Sequence, residues 1–177
     1  MSLENEYIPS PEESMMADKS MSELQHIMSE VRFRALTDPE LVGQKVVYIM
    51  RGVPGSGKST IAAEMARTFD GKVHSTDEYF TDESGQYSFD RSRIKEAHQK
   101  NFEAFQTSLQ QELPVVIVDN TNIKRWEFEN YVKIAQESGY AIREINAPTP
   151  ELEEALARNL HGVPEEAIRR MLEGFES

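Results

Sequence analysis

The chain has 177 residues, no cysteine and a formal net charge of −12. That length suggests one domain with a core large enough to stand alone, and the lack of cysteine excludes a disulfide framework, a thiolate nucleophile and a cysteine zinc site. The acidic balance excludes a global basic patch, so a nucleic-acid substrate has to be gripped locally.

Residues 1–18 carry Pro9, Pro11, several carboxylates and no basic residue. They read as a disordered acidic tail, with a docking motif around Tyr7-Ile8-Pro9 as the alternative. They lack the apolar h-region of a secretory signal. Residues 19–43 read as an amphipathic helix and linker. Met21, Leu24, Met28, Val31 and Ala35 recur at helical spacing over 19–36, and Asp38-Pro39 closes the helix. Its apolar stripe packs on the core or binds a protein partner.

Residues 44–177 read as an α/β domain. Val46 to Met50 is a strand, and a helix from Lys58 to Phe69 follows, ended by Asp70-Gly71. A short strand spans 72–75, a polar loop 81–89, and a helix capped by Asp90 runs to Glu112 with the stripe Ile94, His98, Phe102, Phe105 and Leu109. Val115 to Val118 reads as a buried parallel strand. A helix over 124–138, a strand over 140–145, a helix from Thr149-Pro150 to Arg158 and a last helix from Pro164 to Phe175 complete the chain. Strands alternating with helices predict a parallel sheet with right-handed crossovers, flanked by helices in three layers. No run approaches about 18 consecutive apolar residues, so no membrane span is expected and the cytoplasm, or the nucleus, is the expected compartment.

The most informative stretch is VVYIMRGVPGSGKST, residues 46–60. A strand runs into Gly52-x-x-x-x-Gly57-Lys58-Ser59 and a helix follows, which is the context a phosphate-binding P-loop requires. Pro54, Gly55, Ser56, Gly57, Lys58, Ser59 and Thr60 are the expected cradle for ATP. Glycines let backbone N–H groups face an anion, and the helix N-terminus adds positive potential. Lys58 reaches the β- and γ-phosphates, and the Ser59 hydroxyl ligates Mg²⁺.

Asp119 ends the strand at Val115, where ligand sites of open α/β sheets collect, and is the second expected Mg²⁺ residue; a helix-capping role is the alternative. Asn120 follows it where ATPase motors carry a carboxylate, and no Asn-Lys-x-Asp guanine reader is present. Transfer of a phosphoryl group to a hydroxyl needs a proton acceptor across from the P-loop. Asp77, after the neighbouring strand, is that expected base, or else a cap for residues 78–80. Arg158 is the expected lid arginine, or a surface partner of Glu154. Phe80 and Asn122 join Asp77 on the expected substrate side. His161 reads as a polar lid contact before a catalytic base. His74 and His98 read as packed or exposed, and Trp126 as packing before base stacking.

At these residues the chain resembles the P-loop polynucleotide 5′-hydroxyl kinases, in particular the kinase-like domains related to a ubiquitin-ligase-binding member. The matching stretches are RGVPGSGKST (51–60), STDEYF (75–80), YSFD (87–90), VIVDNTN (116–122), WEFENYV (126–132) and RNLHGVPEEAIRRML (158–172). The resemblance implies a mononucleotide-kinase-like fold, ATP with Mg²⁺, and transfer to the 5′-hydroxyl of a nucleic-acid end or of a smaller hydroxyl-bearing molecule. It implies Asp77 as general base, Lys58 and Ser59 as the P-loop pair, and Arg158 as lid arginine. The phage member carries a substrate-gripping arginine at the position of Phe80, and its strand-end carboxylate falls at Asn120.

Overall fold

The structure is a computed structural model that describes residues 21–32, 38, 41–82 and 84–176. The expected acidic tail over 1–18 lies outside the described residues, as do the ends of the expected 19–36 helix. Within that helix, residues 21–32 are helical and form α1.

Four strands make one parallel sheet: β1 (Val46–Arg51), β2 (Lys72–His74), β3 (Val115–Asp119) and β4 (Ala141–Asn146), in the order β2-β3-β1-β4. The helices are α2 (Lys58–Phe69), α3 (Ile94–Gln110), α4 (Arg125–Glu137), α5 (Leu152–Ala157) and α6 (Glu165–Glu173). Strand side chains alternate between faces, so β1 serves two cores at once. Val46, Tyr48 and Met50 pack with Ile61 and Met65 of α2 and Met28 and Val31 of α1. Val47 and Ile49 pack on the opposite face with Phe105 and Leu109 of α3 and Phe128 and Tyr131 of α4. This is the expected three-layer arrangement, with α1 in the layer beside α2.

Three sequence expectations shift. The strand carrying Asp77 was read as the neighbour of β1, but β3 lies between them, and Asp119 therefore stands between the P-loop and the Asp77 turn. Along α3 the buried face is Ala97, Asn101, Phe105, Ser108 and Leu109, while Ile94 is exposed. Polar residues enter that face because each has a partner: Asn101 Nδ2 donates to the Tyr131 hydroxyl at 3.1 Å, and the Ser108 hydroxyl pairs with His74 Nε2 at 2.9 Å. The helix expected to start at Pro150, with Thr149 as its cap, begins at Leu152, after a Glu151 that keeps an extended backbone and takes the cap position.

Candidate active site

The P-loop occupies the gap between the end of β1 at Arg51 and the start of α2 at Lys58, where Gly55 (φ 80°) and Gly57 (φ 83°) take left-handed backbone. Gly55 also lacks room for a side chain, and Gly57 is closely packed. A Cβ on Gly55 would stand 2.6 Å from the carbonyl oxygen of Ala155 in α5, and one on Gly57 would stand 3.0 Å from Leu24 Cδ2 in α1. The loop is therefore flanked by two helices. Its entry is held by Gly52 N–H donating to the Thr121 carbonyl at 2.9 Å. Pro54 and Ser56 are buried, Gly55, Gly57 and Lys58 are half-buried, and Ser59 and Thr60 are exposed.

Asp119 pairs in register with Met50 at the top of the sheet, beside the P-loop entry. Burial pushes its carboxyl above the ordinary carboxylate range, and the Asp77 charge adds to that. The Lys58 ammonium, a hydrogen bond from the Ser59 hydroxyl and the nearby His161 oppose the shift. One carboxylate thus senses the start of α2, the turn after β2 and the loop after α5. Its Oδ1 and the Ser56 hydroxyl are buried with no hydrogen-bond partner. Such atoms cost about 1–3 kcal/mol each in a closed interior. They suit a site that receives polar ligand atoms: phosphate oxygens at Ser56 and a cation at Asp119.

Among the described residues, no group of three or more His, Cys, Asp and Glu is placed to hold a metal. Mg²⁺ beside a triphosphate takes only one or two protein oxygens and completes its shell with phosphate and water. Ser59 with Asp119 is a donor set of that kind.

Asp77 lies in the 3₁₀ turn Thr76–Phe80, and this turn is pinned from two sides. Thr76 N–H donates to Asn120 Oδ1 at 3.0 Å, and the Thr76 hydroxyl pairs with His98 Nδ1 at 3.2 Å. The Asp77 side chain is 49% exposed, with Oδ2 3.8 Å from His161 Nε2. Tyr87 stands beside it, its phenol pushed up to about 12 by burial and by the charge of Asp77, to which it is hydrogen-bonded. The Tyr87 and His161 rings are 4.2 Å apart, and Phe80 joins Tyr87 at 6.3 Å and Phe89 at 5.1 Å. An aromatic strip therefore runs from exposed Phe89 to His161 and Asp77.

Two expected substrate contacts are placed differently. Asn122 is buried with φ 47°, and its amide donates to the Met50 carbonyl at 2.7 Å. It ties the segment after β3 to β1 instead of facing an acceptor. Phe80 is buried too, and backs the aromatic strip from beneath. Arg158 caps α5 and pairs with Glu154 at 2.7 Å. It comes three residues after Ala155, whose backbone covers Gly55, so the pair sits on the helix that flanks the P-loop.

The sequence leaves three residues without their roles. Asn120 reads only as a missing carboxylate, yet it clamps the turn that presents Asp77. Tyr87 lies within a matching stretch without an assigned role, and its ring packs on His161, the expected polar contact, which stands beside Asp77. Arg51 is buried between the Phe128 and Phe175 rings, each 5.0 Å away, and bonds to the carbonyls of Asn122, Ile123 and Glu176 and to Glu144. A charged residue directly before the P-loop glycine was the available signal. Trp126, by contrast, is 71% exposed at the start of α4 and supports neither core.

Comparison with known proteins adds four findings. The chain is 38% identical over 135 residues to human NEDD4-binding protein 2, covering 74% of this chain and 8% of that protein. It is 29% identical over 119 residues to mouse 2′,3′-cyclic-nucleotide 3′-phosphodiesterase, covering 64% of this chain and 27% of that protein. The chain thus spans a small part of the length of either relative. Its fold superposes on a chain of the Pnkp1/Rnl/Hen1 RNA repair complex with a TM-score of 0.60 at 21% identity, covering 75% of this chain and 44% of that one. Residues 47–177 match the family model described as an AAA domain. The chain therefore belongs to the AAA-domain family.

Proposed function

We propose that the chain is an ATP-dependent kinase that phosphorylates the 5′-hydroxyl of a nucleic-acid end, with residues 44–177 as the catalytic unit. One observation carries this reading. Asp119 stands in register with Met50 at the P-loop entry, and Asn120 beside it accepts from the Thr76 N–H next to half-exposed Asp77, so the P-loop and a reachable carboxylate flank one strand end.

In this reading the amides of Gly55 to Thr60 and the Lys58 ammonium hold the triphosphate. Ser59 and Asp119 would hold Mg²⁺, whose charge screens the phosphate oxygens that Lys58 does not reach. Asp77 accepts the proton of the acceptor hydroxyl as that oxygen bonds to the γ-phosphorus, and the bridging oxygen departs with ADP. Arg158 leaves Glu154 to cover the transferring group. Asn120 keeps the Asp77 turn in place, and His161 orients the carboxylate.

The nucleic-acid acceptor is supported by the aromatic strip beside Asp77, since every base offers a face to stack on. The RNA repair complex of the structural neighbour points to the same class of acceptor and to protein partners. A small hydroxyl-bearing acceptor is the second reading, and the charge of −12 favours it because a phosphodiester backbone is repelled.

The test is γ-labelled ATP offered with 5′-hydroxyl RNA and DNA oligonucleotides, nucleosides and sugars. Label on the oligonucleotides is expected. Label on small molecules alone transfers the assignment to the second reading, and ATP binding without any transfer leaves a nucleotide-binding module. No described helix is long and apolar enough to cross a membrane, which fits acceptors met in solution.

A further inference from the structure

Helix α1 is more than a cover for the sheet. Its stripe of Leu24, Ile27, Met28 and Val31 joins the core on the α2 side of the sheet. Arg32 ties it to α2, with Nη2 2.9 Å from Glu64 Oε1 and 3.1 Å from the Thr68 hydroxyl. At its other end Leu24 closes over Gly57 of the P-loop. On the far side of the loop, a Cβ on Gly52 would stand 3.0 Å from the Ala147 Cβ, so the segment after β4 abuts the P-loop as well. An open cavity of about 510 Å³ is lined by Ser22, Glu23, His26 and Ile27 of α1, the neighbours of Leu24, and by Pro148 and Thr149, which follow Ala147.

A cavity of this size suits a nucleoside, since small-molecule sites run from about 300 to 1,000 Å³. Its chemistry suits one too. Ile27 and Pro148 offer apolar surface to a flat base, and Ser22, Glu23, His26 and Thr149 offer hydrogen-bonding groups for ring nitrogens, amino groups and ribose hydroxyls. The lining residues adjoin Leu24 and Ala147, the two residues that touch the P-loop, so the nucleoside of a triphosphate held there is within reach of the cavity. The family match begins at residue 47, so α1 stands outside the matched region.

We propose that α1 forms one wall of the nucleoside pocket, with the base and ribose of the donor nucleotide seated between α1 and Pro148-Thr149. The proposal rests on the reading of the P-loop as a triphosphate site, and it makes a segment upstream of the family match a determinant of nucleotide affinity and base preference. It also gives the helix an occupied face, in place of a docking surface for a partner.

The test compares ATP with inorganic tripolyphosphate, which fills the P-loop and leaves the nucleoside pocket empty. Binding of each is measured by calorimetry on the full chain and on two variants at exposed positions of α1. Ser22→Trp fills the cavity, and His26→Ala removes one polar group. Ser22→Trp is expected to weaken ATP by about tenfold or more, the scale of a spoiled shape match, and His26→Ala by a few-fold, with tripolyphosphate affinity unchanged in both. ATP binding equal to the parent in both variants overturns the proposal. So does a parallel loss of tripolyphosphate, which would make α1 a brace for the loop. A parent chain that binds neither ligand removes the triphosphate reading itself, and the pocket with it.

Discussion

The two halves of the site are made of different material. The donor half is backbone: left-handed glycines, a helix N-terminus and a loop flanked by α1 and α5. The acceptor half is side chains on a 3₁₀ turn and two loops, with Asp77, Tyr87, Phe89 and His161 meeting at half-exposed positions. Backbone geometry cannot change without changing the fold, so the donor half fixes a ligand class. Exposed side chains can be exchanged at little cost to stability, so the acceptor half is where specificity is set.

This contrast predicts that donor-side changes harm every acceptor, that loss of the base Asp77 does so too, and that changes in the acceptor-side aromatic strip harm one class of acceptor. Lys58→Met is expected to lose about a thousandfold in kcat, the scale of a removed charge on a developing anion, with all acceptors alike. Initial rates with oligonucleotide and nucleoside acceptors check it, and a loss confined to one acceptor would break the comparison.

The second expectation concerns the scaffold beneath the acceptor half. His74 is buried against Ser108, and burial lowers its pKa from 6.5 to about 4. The folded state refuses a proton that the unfolded chain accepts, so stability is full above pH 6.5 and falls as pH drops toward about 4. The loss approaches about 3 kcal/mol, from roughly 1.36 kcal/mol per pKa unit. Denaturant unfolding across this range checks it, and His74→Gln should flatten the slope.

Gly55→Ala comes next. The left-handed backbone alone costs an alanine about 1–2 kcal/mol, and the methyl group meets the Ala155 carbonyl. Lower thermal stability and weaker tripolyphosphate binding should appear together. Phe89→Ala is the smallest. The ring is 51% exposed, so stability should change by no more than about 0.5 kcal/mol. The KM for oligonucleotides should rise by about 1–3 kcal/mol of lost stacking, with ATP affinity unchanged. An equal rise for a sugar acceptor would remove the stacking role.

The same contrast explains what could be read from the sequence. β1, the P-loop, α2 and β3 were legible because each depends on local rules: apolar runs, glycine spacing and helical period. Asp119 was legible because a strand end is a local feature. The acceptor half was less so. Asp77 could be singled out, but its real setting depends on β3 lying between β1 and β2, and strand order is a non-local property. Asn122 and Asn120 look alike in sequence, yet one is buried as a tie to Met50 and the other clamps the Asp77 turn. Arg51 has no assigned role in the sequence, and only the assembled Phe128, Phe175 and Glu144 give it a buried place.

The central claim is that Asp77 deprotonates a hydroxyl held opposite Lys58. It is tested most directly by γ-phosphoryl transfer to a 5′-hydroxyl oligonucleotide catalysed by Asp77→Asn, with ATP affinity measured on the same preparation. The account predicts transfer reduced by about 10²–10⁴-fold with ATP affinity retained. Transfer at the parent rate would contradict it and remove Asp77 from the chemistry.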